Sequence, residues 1–376
     1  MGGVLTVVKG YAEALSQMES RVSIVLTYLE NSNCTDVSDL FGKSPYLNIN
    51  VFRYSLLENR VHVLDKLSKL VSNKSAVLVC NDYLELDMIN ACKILNPSVL
   101  IIHGDYDYYY NLASSSSGFI DKCFSVSPVI TDKIKKLLPK HLKHVVSIRY
   151  IVNAEKPNFG TEVNRLNAIF IGRLSKAKGF DVLVQVAEKL SAENLNIFWT
   201  VVGQPVDVSY KEREWLKSSN VKHFNFLSNL DVLKIYKHQD VLLLPSLQEG
   251  YPVVVVEAMK SGVVPIVNNL ETIAPDILID GNTGFRIENN KIDRYIDVLT
   301  LLYKDQLLLS TMKRNAVKVA NKTFNTATSM SFFTGITEHF EPRQKKFSKT
   351  NFSRLDRRYI PNFVVKNIRY LFKLIN

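Results

Sequence analysis

The chain has 376 residues, with 47 Lys and Arg against 36 Asp and Glu, for a formal charge of +11. Its 46% hydrophobic and 22% charged residues are those of an ordinary globular protein, which excludes a disordered, collagen-like or disulfide-stapled chain. The charge is uneven: residues 343–376 hold ten basic residues and one acid, net +9, which leaves only +2 on residues 1–342. A basic face over the folded body is what a nucleic-acid partner would need, and none is expected here.

Length predicts two domains. In the first half, residues 4–18 carry Val4, Val7, Val8, Tyr11, Ala12 and Leu15 on one helical face. Short β-rich runs follow at Ser23–Leu29, Leu47–Phe52, Ala76–Asn81, Val99–His103, Cys123–Val126 and Val145–Ile151, with helical stretches at Tyr83–Ile94 and Ile130–Leu138 between them. Ser114–Ser117 reads as a flexible loop, and the polar stretch around Pro157 and Gly160 as a linker. The second half restarts the alternation: strand Ala168–Ile171, helix Phe180–Leu190, strand Ile197–Val202, helix Lys211–Lys217, strand Val221–Phe226, helix Asp231–His238, strand Val241–Leu244, helix Pro252–Ser261 and strand Val264–Val267. Helices at Ile292–Tyr303 and about Ser329–Phe340 finish the body. Strand–helix alternation on this scale predicts an α/β chain of two parallel-sheet domains, with ligands at the carboxyl ends of the strands.

The cysteines, Cys34, Cys80, Cys92 and Cys123, show no C-x-x-C spacing, so they read as small buried hydrophobes and not as zinc or redox ligands. The N-terminus lacks a secretory signal and no apolar run approaches membrane-spanning length, so a cytoplasmic body is expected.

Four places carry chemistry. In Leu244–Met259 a buried strand runs through a loop with Glu249, Gly250 and Tyr251 into a helix opened by Pro252, which contains Glu257. Gly250 permits close backbone approach, and the helix start at Val253 offers free N–H groups to an anion. Glu257, set among Val253–Val256 and Ala258–Met259, needs a partner or a ligand; the alternative is a capping Glu249 on an ordinary buried helix. In Ile171–Gly179 another strand leads into a loop with Arg173, Lys176 and Lys178 between two glycines, either a diphosphate clamp or a plain solvated basic loop. Gly203 ends the strand Ile197–Val202, and His103 ends a strand of the first half, where it is structural or functional with equal reason.

The chain resembles a retaining glycosyltransferase of family 4 with the GT-B fold, the glycosyl transferases group 1. The spacing Glu249 to Glu257 is similar to that family's E-x7-E signature, and Gly172-Arg173 with Lys178-Gly179 to its G-R-L-x4-K-G element. The resemblance is strongest over residues 166–340 and looser over 2–150. It implies two Rossmann-like parallel-sheet domains facing a cleft (GT-B): residues 1–152 for the acceptor, a linker at 153–165, residues 166–340 for a nucleotide-sugar donor, and a basic tail at 341–376. It further implies that Glu257 accepts the ribose hydroxyls, and that Glu249 and the backbone of Gly250, Tyr251, Pro252 and Val253 face the sugar and diphosphate. Arg173 and Lys178 would stabilise the departing diphosphate, Gly203 would flank the base, Gly2 and Gly3 would form the glycine loop opposite the diphosphate, and His103 would lie near the transferred sugar. No cofactor and no metal is then required, because basic residues already fill the role a metal would have; Asp105-Tyr106-Asp107 reads D-x-D but is discounted for that reason.

Two features depart from the family pattern. Such chains open with an apolar strand before the glycine loop, whereas this one begins Met1-Gly2-Gly3, so either the first sheet lacks its central strand or the start lies upstream. The tail extends past the usual family end, and residues 359–376 form a basic amphipathic C-terminal helix, with Asn362, Lys366, Arg369 and Lys373 on one stripe. Such a helix suits an anionic membrane surface, or it packs on the first domain. The expected activity is sugar transfer to a glycan or lipid-linked acceptor in surface polysaccharide or glycolipid synthesis, peripheral on the cytoplasmic membrane face. The alternatives are a sugar-nucleotide epimerase of the same architecture and a non-catalytic sugar-nucleotide-binding protein.

Overall fold

The computed structural model describes residues 3–30, 41–71, 73–138, 145–152, 154–160, 164–250, 252–273, 278–325, 327, 329, 340, 344–350 and 352–375. The chain divides into two compact units, one of Met1–Val7, Ser127–Ile130 and Arg149–Ser329, the other of Val8–Val126, Thr131–Ile148 and Met330–Asn376.

The first half of the chain runs α1 (Gly3–Gln17), β1 (Val22–Leu29), β2 (Leu47–Tyr54), α2 (Arg60–Ser68), β3 (Leu78–Cys80), α3 (Tyr83–Ala91), β4 (Ser98–Ile102), α4 (Asp107–Ser116), β5 (Lys122–Ser125), α5 (Pro128–Leu137) and β6 (Val145–Ser147). All pairings are parallel, but they form two sheets among the described residues, β1-β2 and β3-β4-β5-β6, instead of one. β4 is buried along its whole length, as an interior strand of a parallel sheet requires. Ser114–Ser117 is not a loop: it closes α4, where Ser115 and Ser116 donate their hydroxyls to the Leu112 carbonyl and Ser117 donates to that of Ser114. Serine bonding back to the preceding turn keeps the helix intact in a sequence that reads as a breaker.

The second half contains β7 (Leu166–Ile171), a 3₁₀ turn (Lys176–Lys178), α6 (Phe180–Ala192), β8 (Ile197–Val202), α7 (Tyr210–Trp215), β9 (Val221–Phe224), α8 (Asn229–Tyr236), β10 (Val241–Leu244), α9 (Val253–Lys260), β11 (Val264–Asn268), β12 (Phe285–Ile287), α10 (Ile292–Lys304) and α11 (Gln306–Thr323). Six parallel strands lie in the order β12-β11-β10-β7-β8-β9, the doubly wound arrangement of a Rossmann fold. Leu183, Val186 and Leu190 of α6 and Val298, Leu299 and Leu302 of α10 share one core with Ala168, Phe170, Trp199 and Val201 of the sheet.

The sequence pattern gives no helix at α11, and the reason is Lys313. Its charge interrupts the apolar stripe, yet it lies on the buried face with Leu309, Met312 and Ala316. The ammonium donates to Asp240 Oδ1 at 2.6 Å and to the Gly160 carbonyl at 3.0 Å. Asp240 Oδ2 in turn accepts the backbone N–H of Asn167 at 2.8 Å, so a buried, hydrogen-bonded ion pair fastens α11 to the roots of β7 and β10.

The tail helix α12 spans Asn362–Ile375. The tail packs within the compact unit that holds most of the first half. Lys345, nearly fully buried, contacts Asp121 at 3.2 Å and donates to Ser98 Oγ at 2.7 Å. Arg358 pairs with Asp65 at 2.9 Å, Lys366 with Glu30 at 3.6 Å and Arg369 with Asp356 at 2.6 Å. The side chain of Asn59 caps α2 and also donates to the carbonyls of Arg357 and Ile360. Much of the tail's positive charge therefore meets acids of its own chain. Phe363, Tyr370 and Leu371 stay exposed. The expected helix at Ser329–Phe340 and Cys34 lie almost wholly outside the described residues; Cys80 and Cys123 are buried free thiols and Cys92 is a half-buried one.

Candidate active site

In the six-stranded sheet the winding reverses between β7 and β10, which pair through Val241 with Ala168 and Leu242 with Ile169. At such a reversal the loops that follow the two strands part and leave a crevice at their carboxyl ends. Arg173 follows β7, and Glu249 follows β10, so the topology brings together two motifs more than seventy residues apart.

Glycines make the meeting possible. Gly179 sits at φ 68°, and a Cβ there would lie 2.0 Å from the Pro245 carbonyl oxygen. A Cβ on Gly203 would lie 1.8 Å from the Gly172 carbonyl oxygen. No other residue fits either position. The Ala177 carbonyl accepts the Leu247 N–H at 3.1 Å, tying the two loops by backbone. Across them Lys178 Nζ donates to Glu249 Oε1 at 2.6 Å, with both side chains mostly buried. Arg173 is exposed and has no ion-pair partner among the described residues, so its charge is available to a ligand.

A supporting layer fixes the Glu249 loop, and sequence reading missed it. Asn268, at the end of β11, donates its amide to the carbonyls of Pro245 and Ser246, each at 3.0 Å. Tyr295 donates to Asn268 Oδ1 at 2.7 Å, which fixes the amide's orientation. Thr272 donates to the Glu249 carbonyl at 2.8 Å. The signal available was an asparagine closing an otherwise apolar strand, Val-Pro-Ile-Val-Asn.

Pro252 proves to be the N-cap of α9, one residue before the helix, and offers no side-chain acceptor, so the N–H groups of that first turn have no capping side chain. Val253 is the first helical residue, and Gly250 is buried beside the loop. Glu257 is 3% exposed, and burial pushes its carboxyl up to about 7, against the opposing pull of a hydrogen bond from Asn229 Nδ2 at 3.1 Å. One amide cannot satisfy a buried carboxylate's four lone-pair directions, so Glu257 retains capacity for further donors. Asn229, at the start of α8, carries no sequence signal beyond its helix-start context.

In the other unit His103 follows β4 and is 9% exposed. Its Nε2–H donates to Asn81 Oδ1 at 2.8 Å, and burial holds its pKa down at about 4, so the imidazole is neutral. Gly3 is the first residue of α1, inside a helix and not in a loop. Gly2 and Tyr251 lie outside the described residues. Asp105, of the D-x-D run, pairs with Lys133 at 2.6 Å and accepts the Tyr110 hydroxyl.

Residues 152–319 match the family model described as glycosyl transferases group 1. The chain is 28% identical over 158 residues to the capsular polysaccharide biosynthesis glycosyltransferase CapM of Staphylococcus aureus, covering 41% of each chain. It is 28% identical over 167 residues to the UDP-Gal:alpha-D-GlcNAc-diphosphoundecaprenol alpha-1,3-galactosyltransferase of Escherichia coli, covering 43% of each. These alignments thus span about two fifths of the curated relatives. Among solved structures, Anabaena Alr3699/HepE in complex with UDP and glucose superposes with a TM-score of 0.68 at 13% identity, over 90% of this chain and 96% of that one.

Proposed function

We infer that this chain, which by family model and fold groups with the GT-B glycosyltransferases, is a retaining, metal-independent enzyme of family 4. It moves a sugar from a nucleotide-diphosphate sugar to a glycan or lipid-linked acceptor in capsular or other surface polysaccharide synthesis. The observation that carries this reading is the 2.6 Å contact of Lys178 with Glu249 beside the uncapped first turn of α9, with Arg173 exposed on the same loop. Cleaving a sugar–phosphate bond places positive charge on the anomeric carbon and negative charge on the leaving diphosphate. Arg173, Lys178 and the α9 N–H groups stabilise the latter, which is where preorganised charge has its largest effect. Glu249 faces the sugar, Glu257 takes the ribose hydroxyls, and neutral His103 serves near the transferred sugar. The acceptor hydroxyl forms its bond to the anomeric carbon on the face the diphosphate leaves, and its proton passes to the departing phosphate oxygen. Retention then needs no carboxylate nucleophile.

Peripheral attachment to the anionic cytoplasmic membrane face through residues 343–376 belongs to the same proposal. No helix among the described residues is long and apolar enough to cross a membrane. Exposed Phe363, Tyr370 and Leu371, with Lys346, Lys349, Arg354 and Arg357 free of ion pairs among the described residues, support surface contact. Pelleting of the full chain with anionic liposomes, lost on Phe363→Ser with Leu371→Ser, tests it.

The donor reading is tested by melting temperature in the presence of UDP-sugars and free UDP, since a ligand that binds only the folded state raises it. A shift with at least one of them in the wild type, strongly reduced when Arg173 and Lys178 are both alanine, supports the site. No shift with any, or an undiminished shift in the double variant, rejects it.

A further inference from the structure

The carboxyl end of β4 carries more than His103. Four tyrosines follow it, Tyr106 and Tyr108–Tyr110, at the start of α4. Gly104 lets the Tyr106 ring lie directly over the backbone, where a Cβ would come within 2.4 Å of its Cε2. The Tyr109 ring meets the His103 imidazole edge-on at 6.3 Å between centroids, with Tyr106 at 6.4 Å and Tyr108 at 5.3 Å from it. Tyr109 is thus the half-buried centre of the cluster, while Tyr106 and Tyr108 remain 37% and 46% exposed. The Tyr108 hydroxyl also donates to Asp82 Oδ1, at the N-terminus of α3.

Packing alone does not require two large rings to stand in solvent at the edge of a sheet, ahead of a histidine. The surrounding charge indicates what they meet. Asp105 engages Lys133, whereas Asp82 and Asp107 are exposed and form no ion pair among the described residues. A surface of exposed rings fringed by carboxylates repels phosphate and uronate, and it suits a neutral sugar: the C–H face of a pyranose lies on an aromatic ring, and its hydroxyls donate to carboxylate oxygens.

We propose that Tyr106 and Tyr108, with Asp82 and Asp107 at their border, form a stacking subsite for a neutral pyranose of the acceptor next to His103. The proposal rests on the glycosyltransferase reading above and specifies the acceptor's chemical class at this point: uncharged and ring-shaped, with the lipid or phosphate portion of any lipid-linked acceptor lying elsewhere.

The test uses the full chain saturated with UDP and saturation-transfer NMR on four probes: the methyl α-glycosides of glucose, galactose, N-acetylglucosamine and glucuronic acid. The expected result is transfer to at least one neutral glycoside and less to the glucuronide. Tyr106→Ala with Tyr108→Ala weakens the neutral signal at least about fivefold, in keeping with the energy of an aromatic stacking contact. Tyr106→Phe with Tyr108→Phe retains it. Tyr108→Ala alone, at the more exposed position, reads the same loss if the double alanine variant is poorly folded. The UDP melting shift is the same in every variant. Absence of transfer to all neutral glycosides, stronger transfer to the glucuronide, or alanine variants indistinguishable from wild type overturns the subsite. A wild-type chain that shows no UDP shift refutes the donor site instead, so the two failures are separable.

Discussion

Replacing Lys178 by Ala separates what the Lys178–Glu249 contact does for folding from what it does for chemistry. At 2.6 Å, with side chains 19% and 11% exposed, the gross attraction at an effective permittivity near 20 is roughly 6 kcal/mol. Desolvation of two mostly buried charges offsets most of that, leaving a coupling of about 1–3 kcal/mol. Lys178→Ala strands the Glu249 carboxylate and lowers stability by about 2–3 kcal/mol. Adding Glu249→Gln removes the stranded charge, so the double variant regains part of that loss in urea unfolding. Activity behaves differently. Losing one preorganised cation at the leaving group costs about 10²–10³ in kcat, some 3–4 kcal/mol. Glu249→Gln cannot restore it. The assay is a double-mutant cycle read twice, by urea midpoint and by nucleoside diphosphate release from the donor that most stabilises the chain. Recovery of rate together with stability in the double variant would refute the reasoning, because it would make the pair a structural clip.

Four further outcomes follow from the same geometry. Burial raises the Glu257 carboxyl to about 7 from an ordinary 4.5, so between those values the folded chain holds a proton that the unfolded chain has released. Stability therefore falls by roughly 3 kcal/mol as pH rises across that window and is level above it, and Glu257→Gln flattens the profile. Ribose hydroxyls need the ionised form, so UDP binding measured by calorimetry weakens below about pH 7 in the wild type and loses this pH dependence in Glu257→Gln. Gly179→Ala places a methyl 2.0 Å from the Pro245 carbonyl at a left-handed φ, which separates the two loops; UDP no longer raises the melting temperature. Asn268→Ala leaves two loop carbonyls and the Tyr295 hydroxyl without partners, costing about 2–4 kcal/mol in urea unfolding and lowering kcat more than donor affinity.

The second half was legible because its strands are short apolar runs, two of them followed by glycine, and because charged residues in the loops after the strands stand out against the core. Arg173, Lys178 and Glu249 announce themselves that way, and Glu257 does so as an acid inside an apolar helix. The supporting residues do not. Asn268, Tyr295 and Asn229 act through contacts between distant elements, and an asparagine at a strand end looks like any turn residue. Lys313 hid a whole helix, since a buried cation reads as a solvent-facing one until Asp240 is known to meet it. The serines of α4 misled because they looked like a loop open to solvent, whereas their hydroxyls bond back to the preceding turn. In the tail, Lys345, Arg358, Lys366 and Arg369 likewise meet acids of the chain, while Lys346, Lys349, Arg354 and Arg357 form no ion pair among the described residues. The strands of the first half pair as two sheets among the described residues, and which strand pairs with which is set by contacts between distant segments that no local pattern encodes.

The most direct measurement of sugar transfer follows a UDP-sugar reaction by mass spectrometry with a neutral methyl glycoside as acceptor, for wild type and for Arg173→Ala with Lys178→Ala. The expected result is one nucleoside diphosphate released for each acceptor that gains one sugar mass, with both products absent from the double variant. Conversion of the donor to an isomeric sugar without any gain of mass on the acceptor, or transfer undiminished in the double variant, would contradict it.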